Sequence, residues 1–384
     1  MGMSWSLILF SSLTKIINAK YLLKIRHVVR IFINSVNICI GFLIISFACT
    51  FHEYEVSFWM SLLSSIILGV GSALGESTTL GFCKGFPSSV VGYFGSGTGF
   101  AGVFGSGIIL ILKGAGLNNG QIFFIITPTV IPYFLAFWWI YRMKEQHQYI
   151  PEDKNIISQS VLSEDMETDE RNNNYNLVNG APSETMTLDR VRTPKLDEAH
   201  NNQTLNWEEL KKIFFKVGFF QINLMSVYFL EYMCITCFSD RITHKLKTKY
   251  PDRADEYVFQ NGYIILSFCY QIGVFISRSS LSVIKVPRVE IMTTLQLINF
   301  VFWLFNTIFL FLDNFYAMFV IMVWVGLMGG ASYVNVMYQI LESPNLQRNE
   351  KELALTLTTV CNDIGILIAS LLSLLLDNTA FKDV

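Results

Sequence analysis

Apolar residues run along this chain in long blocks, each ending at a short polar connection. A hydrocarbon core of ~30 Å takes about 20 apolar residues of helix to cross. On that criterion spans are predicted at roughly 31–51, 57–80, 88–112 and 121–141 and, after a polar interval, at 213–237, 257–277, 289–312, 315–340 and 353–376. The opening stretch, 5–17, is apolar but too short to cross untilted, and it lacks a signal-peptide cleavage site, so it reads as the remnant of a helix. The polar interval is rich in Glu, Asp, Asn, Ser and Gln and poor in aromatic residues, and so cannot bury enough surface to fold. The pattern therefore divides the chain into an N-terminal membrane half (1–142), a disordered cytosolic linker (143–212) and a C-terminal membrane half (213–384).

Within the third block, small residues recur at helical spacing. Gly97, Ala101 and Gly105 fall on one stripe of a helix, and Gly95, Gly99 and Gly107 on a neighbouring one, so both stripes are expected to let another helix approach closely. Gly329 and Gly330 predict the same in the second half.

Composition narrows the class. With 52% hydrophobic residues, 32 Phe and 15% charged residues, the chain has too little polar side chain to coat a water-soluble surface. Its formal charge of −2 gives no basic face for nucleic acid. The seven cysteines lie in or beside apolar segments, and the Cys234/Cys237 pair lacks the second pair of a zinc site. The five histidines all lie outside the spans. No enzyme, cofactor or metal is therefore expected, and the glycine run is not a phosphate loop, because no Lys-Ser or Lys-Thr follows it.

Basic residues near the membrane set the orientation. Lys20, Lys24, Arg26, Arg30, Arg142, Lys144, Lys211, Lys212, Arg278, Lys285 and Arg288 are placed in the cytosol, and the C-terminus on the other side. One loop disagrees, since Arg241, Lys245, Lys247, Lys249 and Arg253 fall on the non-cytosolic face. If one helix is missing before Trp5, a six-helix shift aligns Arg30 with Arg288 and Gly71 with Gly329 at the same interval. Parallel six-helix repeats joined by a cytosolic linker are the organisation of the major facilitator fold, with substrate bound near the midplane. The predicted class is thus an all-α polytopic membrane protein, a major-facilitator-like bundle of two pseudo-repeated halves.

Several segments carry a resemblance. LGESTTLGF and GYFGSGTGFAGVFGSG, then VYFLEY, QIGVFISRSS, GLMGGASYVNV and CNDIGILIASLLSLLL, in this order and spacing, resemble the battenin family from about residue 8 to 376, the linker excepted. The resemblance implies an eleven-helix major-facilitator-like protein of the lysosomal or vacuolar membrane. That family is linked to clearance of glycerophosphodiesters and, in fungi, to basic amino acid transport and luminal pH. This chain departs from it in three ways: it begins where the family's second helix is expected, MCITCF replaces a polar continuation after VYFLEY, and it lacks the C-terminal prenylation motif of some relatives.

Charges inside spans are the candidate chemistry, because an ionised side chain at the bilayer centre costs ~2.5–3.5 kcal/mol on insertion scales and turns toward a cavity or a partner. Glu231 and Asp363 are read either as proton-linked or substrate-binding carboxylates or as structural acids. Glu76 is expected to cap or to pair with Lys84, and Arg278 to snorkel to the cytosol. Gln271, Tyr333 and Asn335, with Asn261, either line the path or join helices.

In the linker, Tyr175 and Val178 match a tyrosine-based adaptor signal, and the sequon at Asn202 is expected to stay unmodified in the cytosol. The leading reading is a transporter of a small polar metabolite, of the glycerophosphodiester or basic amino acid class. A non-transporting scaffold that recruits trafficking proteins through the linker competes with it, and a nucleoside-type carrier comes third.

Overall fold

The computed structural model describes residues 2–21, 25–51, 53–83, 86, 89–146 and 207–381, all outside the turns being helical. The helices, in chain order, are α1 Gly2–Tyr21, α2 His27–Ala48, α3 Tyr54–Cys83, α4 Ser89–Gly114, α5 Asn119–Ile126, α6 Val130–Gln146, α7 Trp207–Lys216, α8 Gly218–Tyr232, α9 Ser239–Lys249, α10 Tyr257–Gln260, α11 Gly262–Ser279, α12 Glu290–Phe309, α13 Phe315–Glu342 and α14 Arg348–Asn378. Among the described residues, nine helical stretches are long and apolar enough to cross a membrane, matching the nine predicted spans, while the apolar part of α1 is shorter. Tyr175, Val178 and Asn202 lie outside the described residues.

Local chemistry sets the ends. Asn118 accepts from the Gln121 N–H at 2.9 Å while the Gln121 side chain accepts from the Asn118 N–H at 3.1 Å, a reciprocal cap that starts α5. Pro128 then forces a 3₁₀ turn, Thr127–Thr129, before α6 resumes. Asn314 caps α13 through the N–H groups of Tyr316 and Ala317. After α8 the helix widens into a π-helical turn, Met233–Phe238, a form frequent at functional sites.

The chain separates into two compact units, one of residues 1–137 and 205–384, the other of residues 138–204. In the second, the Arg142 guanidinium lies 4.5 Å from the Trp138 ring centroid. In the first, α1 packs on α3, and α11 packs on α13 in the same manner. Segments distant in sequence meet along two seams, α1 against α14 and α4 against α11. The core is densest in the later helices, where Leu224, Phe238, Trp303, Met318, Met322, Val334 and Met337 are all fully enclosed. Phe32, Tyr93, Phe104, Ile111 and Val320 point outward, as lipid-facing residues do.

The glycine stripes resolve unequally. A Cβ on Gly95 would meet Val334 at 2.6 Å, one on Gly99 the Phe275 backbone at 2.8 Å and one on Gly107 the Phe268 ring at 3.2 Å, so this stripe carries the α4–α11 contact and touches α13. The other stripe does not pack as expected. Gly97 and Gly105 have nothing within 4 Å, and Gly97 and Ala101 are exposed. Small-residue spacing shows where a close approach is sterically open, and of two adjacent stripes α11 can occupy only the one it faces. The Gly329 and Gly330 expectation fits, since Cβ atoms there would strike the Glu231 carboxylate and Ser277. Gly273 and Gly326 add a crossing that was not foreseen, each lying against the other helix's backbone at Val323 and Tyr270.

Candidate functional site

α1 carries Ser11, Thr14, Lys15 and Asn18 on one side, and all four are buried. Spacings of three and four put Ser11, Lys15 and Asn18 on a single helical face, so the one cation of that face enters the interior. Lys15 is 2% exposed, and its ammonium forms ion pairs with Glu76 of α3 at 2.8 Å and with Asp363 of α14 at 2.9 Å. Ser11 adds a hydroxyl hydrogen bond to Asp363 at 3.1 Å. Glu76 therefore pairs with Lys15, correcting the expected role near Lys84, which lies outside the described residues. A buried ammonium needs partners, because desolvation costs several kcal/mol per ion.

The network continues through an aromatic residue. Tyr333 of α13 donates its hydroxyl to Glu76 at 2.9 Å, and its ring carries the Arg278 guanidinium 4.4 Å from the centroid. Arg278 donates further to Thr98 on α4 at 2.7 Å and to the Tyr228 hydroxyl on α8 at 3.0 Å. It turns inward rather than snorkelling to the cytosol. The reason is local: oxygens on two helices and one ring face converge within its reach, replacing the water it would otherwise seek. Arg278 Nε nonetheless has no partner.

Glu231 of α8 sits beside this network and is fully enclosed. Tyr270 donates its hydroxyl to Oε1 at 3.0 Å, whereas Oε2 is buried without a hydrogen-bond partner. The carboxylate lies against Gly329, where any side chain would collide with it. Glu231 and Asp363, predicted as one site, thus occupy two positions, Asp363 in an ion pair and Glu231 with a single phenol.

Asn335 and Gln271, expected either to line the path or to join helices, both lie at contacts between elements. Asn335 accepts from the Val286 N–H at 2.7 Å and donates to the Ala331 carbonyl at 2.8 Å, which anchors the α11–α12 connection. Gln339 donates to the Val286 carbonyl at 3.0 Å and completes that anchor. Gln271 is half-buried at the α4–α11 seam, its side chain against Gly102. Lys15 was the residue missed from sequence. Its signal was a polar face at helical spacing on a stretch discounted as too short to cross. A cavity of about 500 Å³ opens between α8, α12 and α14, lined by Met225, Phe229, Leu297 and Ile368 among others, and includes none of the charged residues.

Four of the five basic residues between 241 and 253 have partners within the protein. Lys245 donates to the carbonyls of Thr307 and Ile308 at the C-terminus of α12, at 2.6 and 3.2 Å, where a cation complements the helix dipole. Arg241 pairs with Asp377 at 2.9 Å, Lys249 with Asp313 at 2.7 Å and Arg253 with Glu256 at 2.8 Å.

A helical bundle with nine membrane-length stretches among the described residues, and Lys15 ion-paired to acids of two distant helices, defines a polytopic membrane protein with a polar seam. Residues 5–382 match the CLN3 protein family, and the chain belongs to that family. It is 30% identical to the battenin of Dictyostelium discoideum, the alignment covering 98% of this chain and 85% of that protein. It is 26% identical to protein BTN1 of Chaetomium globosum, over 96% and 78% of the two chains, and 27% identical to the battenin of Canis lupus familiaris, over 82% and 64%.

Proposed function

We propose that this chain is a carrier of the lysosomal or vacuolar membrane, moving a small polar metabolite of the glycerophosphodiester or basic amino acid class by alternating access. One observation carries the reading. Lys15 is buried between Glu76 of α3 and Asp363 of α14, in contacts that a charged solute entering the seam can replace. A purely structural seam is made more cheaply from apolar residues, since replacing a buried ion pair by well-packed hydrophobic ones is often neutral or stabilising by about 1–4 kcal/mol. The α1–α14 and α4–α11 seams are the surfaces that part and close as two groups of helices rock. In this reading the ion pairs hold the closed arrangement, and Arg278 contacts solute when the seam opens.

Efflux of labelled arginine and of a labelled glycerophosphodiester from vesicles containing the full chain tests the reading. Lys15→Met and Asp363→Asn are each expected to slow efflux at least ten-fold while the protein still reaches the membrane. Unchanged efflux in both variants removes the seam from the transport path.

A further inference from the structure

Among the described residues, the charges of the seam do not balance. Lys15 and Arg278 face three carboxylates, Glu76, Asp363 and Glu231, and the buried pair Arg30 and Glu352 nearer the start of α2 adds one group of each sign. A low-dielectric interior tolerates an uncompensated charge poorly, so such a cluster recruits a proton.

The surroundings say where it goes. Glu76 accepts from the Lys15 ammonium and the Tyr333 hydroxyl. Asp363 accepts from the same ammonium and from Ser11. Among the described residues, Glu231 has one hydroxyl donor, no cation within ion-pair distance and an Oε2 with no hydrogen-bond partner. Among the groups packed around it, α11 contributes Tyr270 and Arg278, α13 contributes Gly329 with Tyr333 one turn on, and α8 itself contributes Tyr228 and Tyr232 with Cys234 in the turn that follows. The buried polar residues of α12, namely Gln296, Asn299, Asn306 and Thr307, carry no titratable group, and Asp363 of α14 lies within electrostatic range of Tyr232 and adds only negative charge.

We propose that Glu231 is the proton-binding site of this carrier. It holds one proton in the closed arrangement described here, accepted from water on one side of the membrane and returned to water on the other as α8 shifts against α13. Binding converts the seam from a single net negative charge to neutrality, and so makes closure depend on the proton. This rests on the carrier reading for its consequence but not for its test.

Infrared difference spectra of the purified full chain, titrated through neutral pH, read protonated carboxylic acids directly, because surface carboxylates are ionised there. The wild type is expected to show a carboxylic carbonyl band, Glu231→Gln to lose it, and Asp363→Asn to keep it. Tyr270→Phe, which leaves the charge count intact, is expected to keep the band but shift it, since the hydrogen bond to Oε1 is gone; this arm serves if Glu231→Gln fails to fold. A band absent from the wild type, or unmoved by both Glu231→Gln and Tyr270→Phe, overturns the proposal. Uptake of labelled arginine and glycerophosphocholine into vesicles is the separate arm for the carrier reading. There Glu231→Gln is expected to abolish the acceleration of uptake by an imposed pH gradient. A titrating band in a chain that moves neither solute leaves the proton site standing and removes the carrier.

Discussion

Gly329 shows how much one absent methyl group decides. The Glu231 carboxylate occupies the space a Cβ would take, so Gly329→Ala must push the acid off Tyr270 or push α13 off α8. Overpacking of this kind costs about 1–3 kcal/mol, and a thermal melt of the detergent-solubilised protein is expected to show it as a clear drop in midpoint. The α4 glycines give a matched contrast. Gly99→Val sets its Cβ 2.8 Å from the Phe275 backbone and is expected to lower the midpoint, whereas at Gly97 a Cβ meets nothing within 4 Å and Gly97→Val is expected to change it little. Equal losses from both substitutions would contradict the one-sided packing of α4. At this scale the sequence was partly legible. Glu231 and Asp363 stood out because hydrocarbon makes an unpaired charge costly anywhere in a span. The fates of Arg278 and Asn335 were hidden, because direction depends on where acceptors from other helices converge, which spacing along one helix does not report.

Among elements, the loop around α9 is the instructive case. Positive residues near a membrane count as topological signals, but Lys245 lies on the carbonyl end of α12, Arg241 on Asp377 in the last turn of α14 and Lys249 on Asp313 in the α12–α13 connection. Removing the Lys245 ammonium is expected to destabilise this end of α12 by about 1 kcal/mol, read as faster amide exchange of the residues that follow Trp303. Asp313, between α12 and α13, accepts from the Lys249 ammonium at 2.7 Å and the Tyr250 hydroxyl at 2.6 Å, and these donors hold its carboxyl below the usual carboxylate range. Because its folded value is the lower one, its contribution is present above the ordinary aspartate range and is lost only as pH falls through the depressed value. Asp313→Asn is therefore expected to lower the melting midpoint equally at neutral and mildly acidic pH, with the difference closing only in stronger acid. The nine spans were legible because the bilayer fixes a minimum apolar length. α1 was undervalued by the same rule, since its apolar run is short and yet the helix extends from Gly2 to Tyr21 by packing on α3 and α14.

For the whole molecule, Lys15 acts as the tie between chain ends. Lys15→Met leaves the buried Asp363 and the part-buried Glu76 without their shared cation and is expected to cost about 3–5 kcal/mol. Lys15→Met combined with Asp363→Asn is expected to recover part of that loss, and a double-mutant cycle on unfolding midpoints gives the coupling. The linker discriminates the two functional readings: deletion of residues 150–205 is expected to leave both efflux from vesicles and the chain's cellular effect largely intact if the chain is a carrier, and to abolish the cellular effect if it is a scaffold. Tyr333 brings these scales together. Its oxygen serves an acid at one seam while its ring face bears a guanidinium at the other. Exchange of that one phenol for phenylalanine therefore removes the hydrogen bond that ties the two seams together while leaving the ring face in place under the guanidinium.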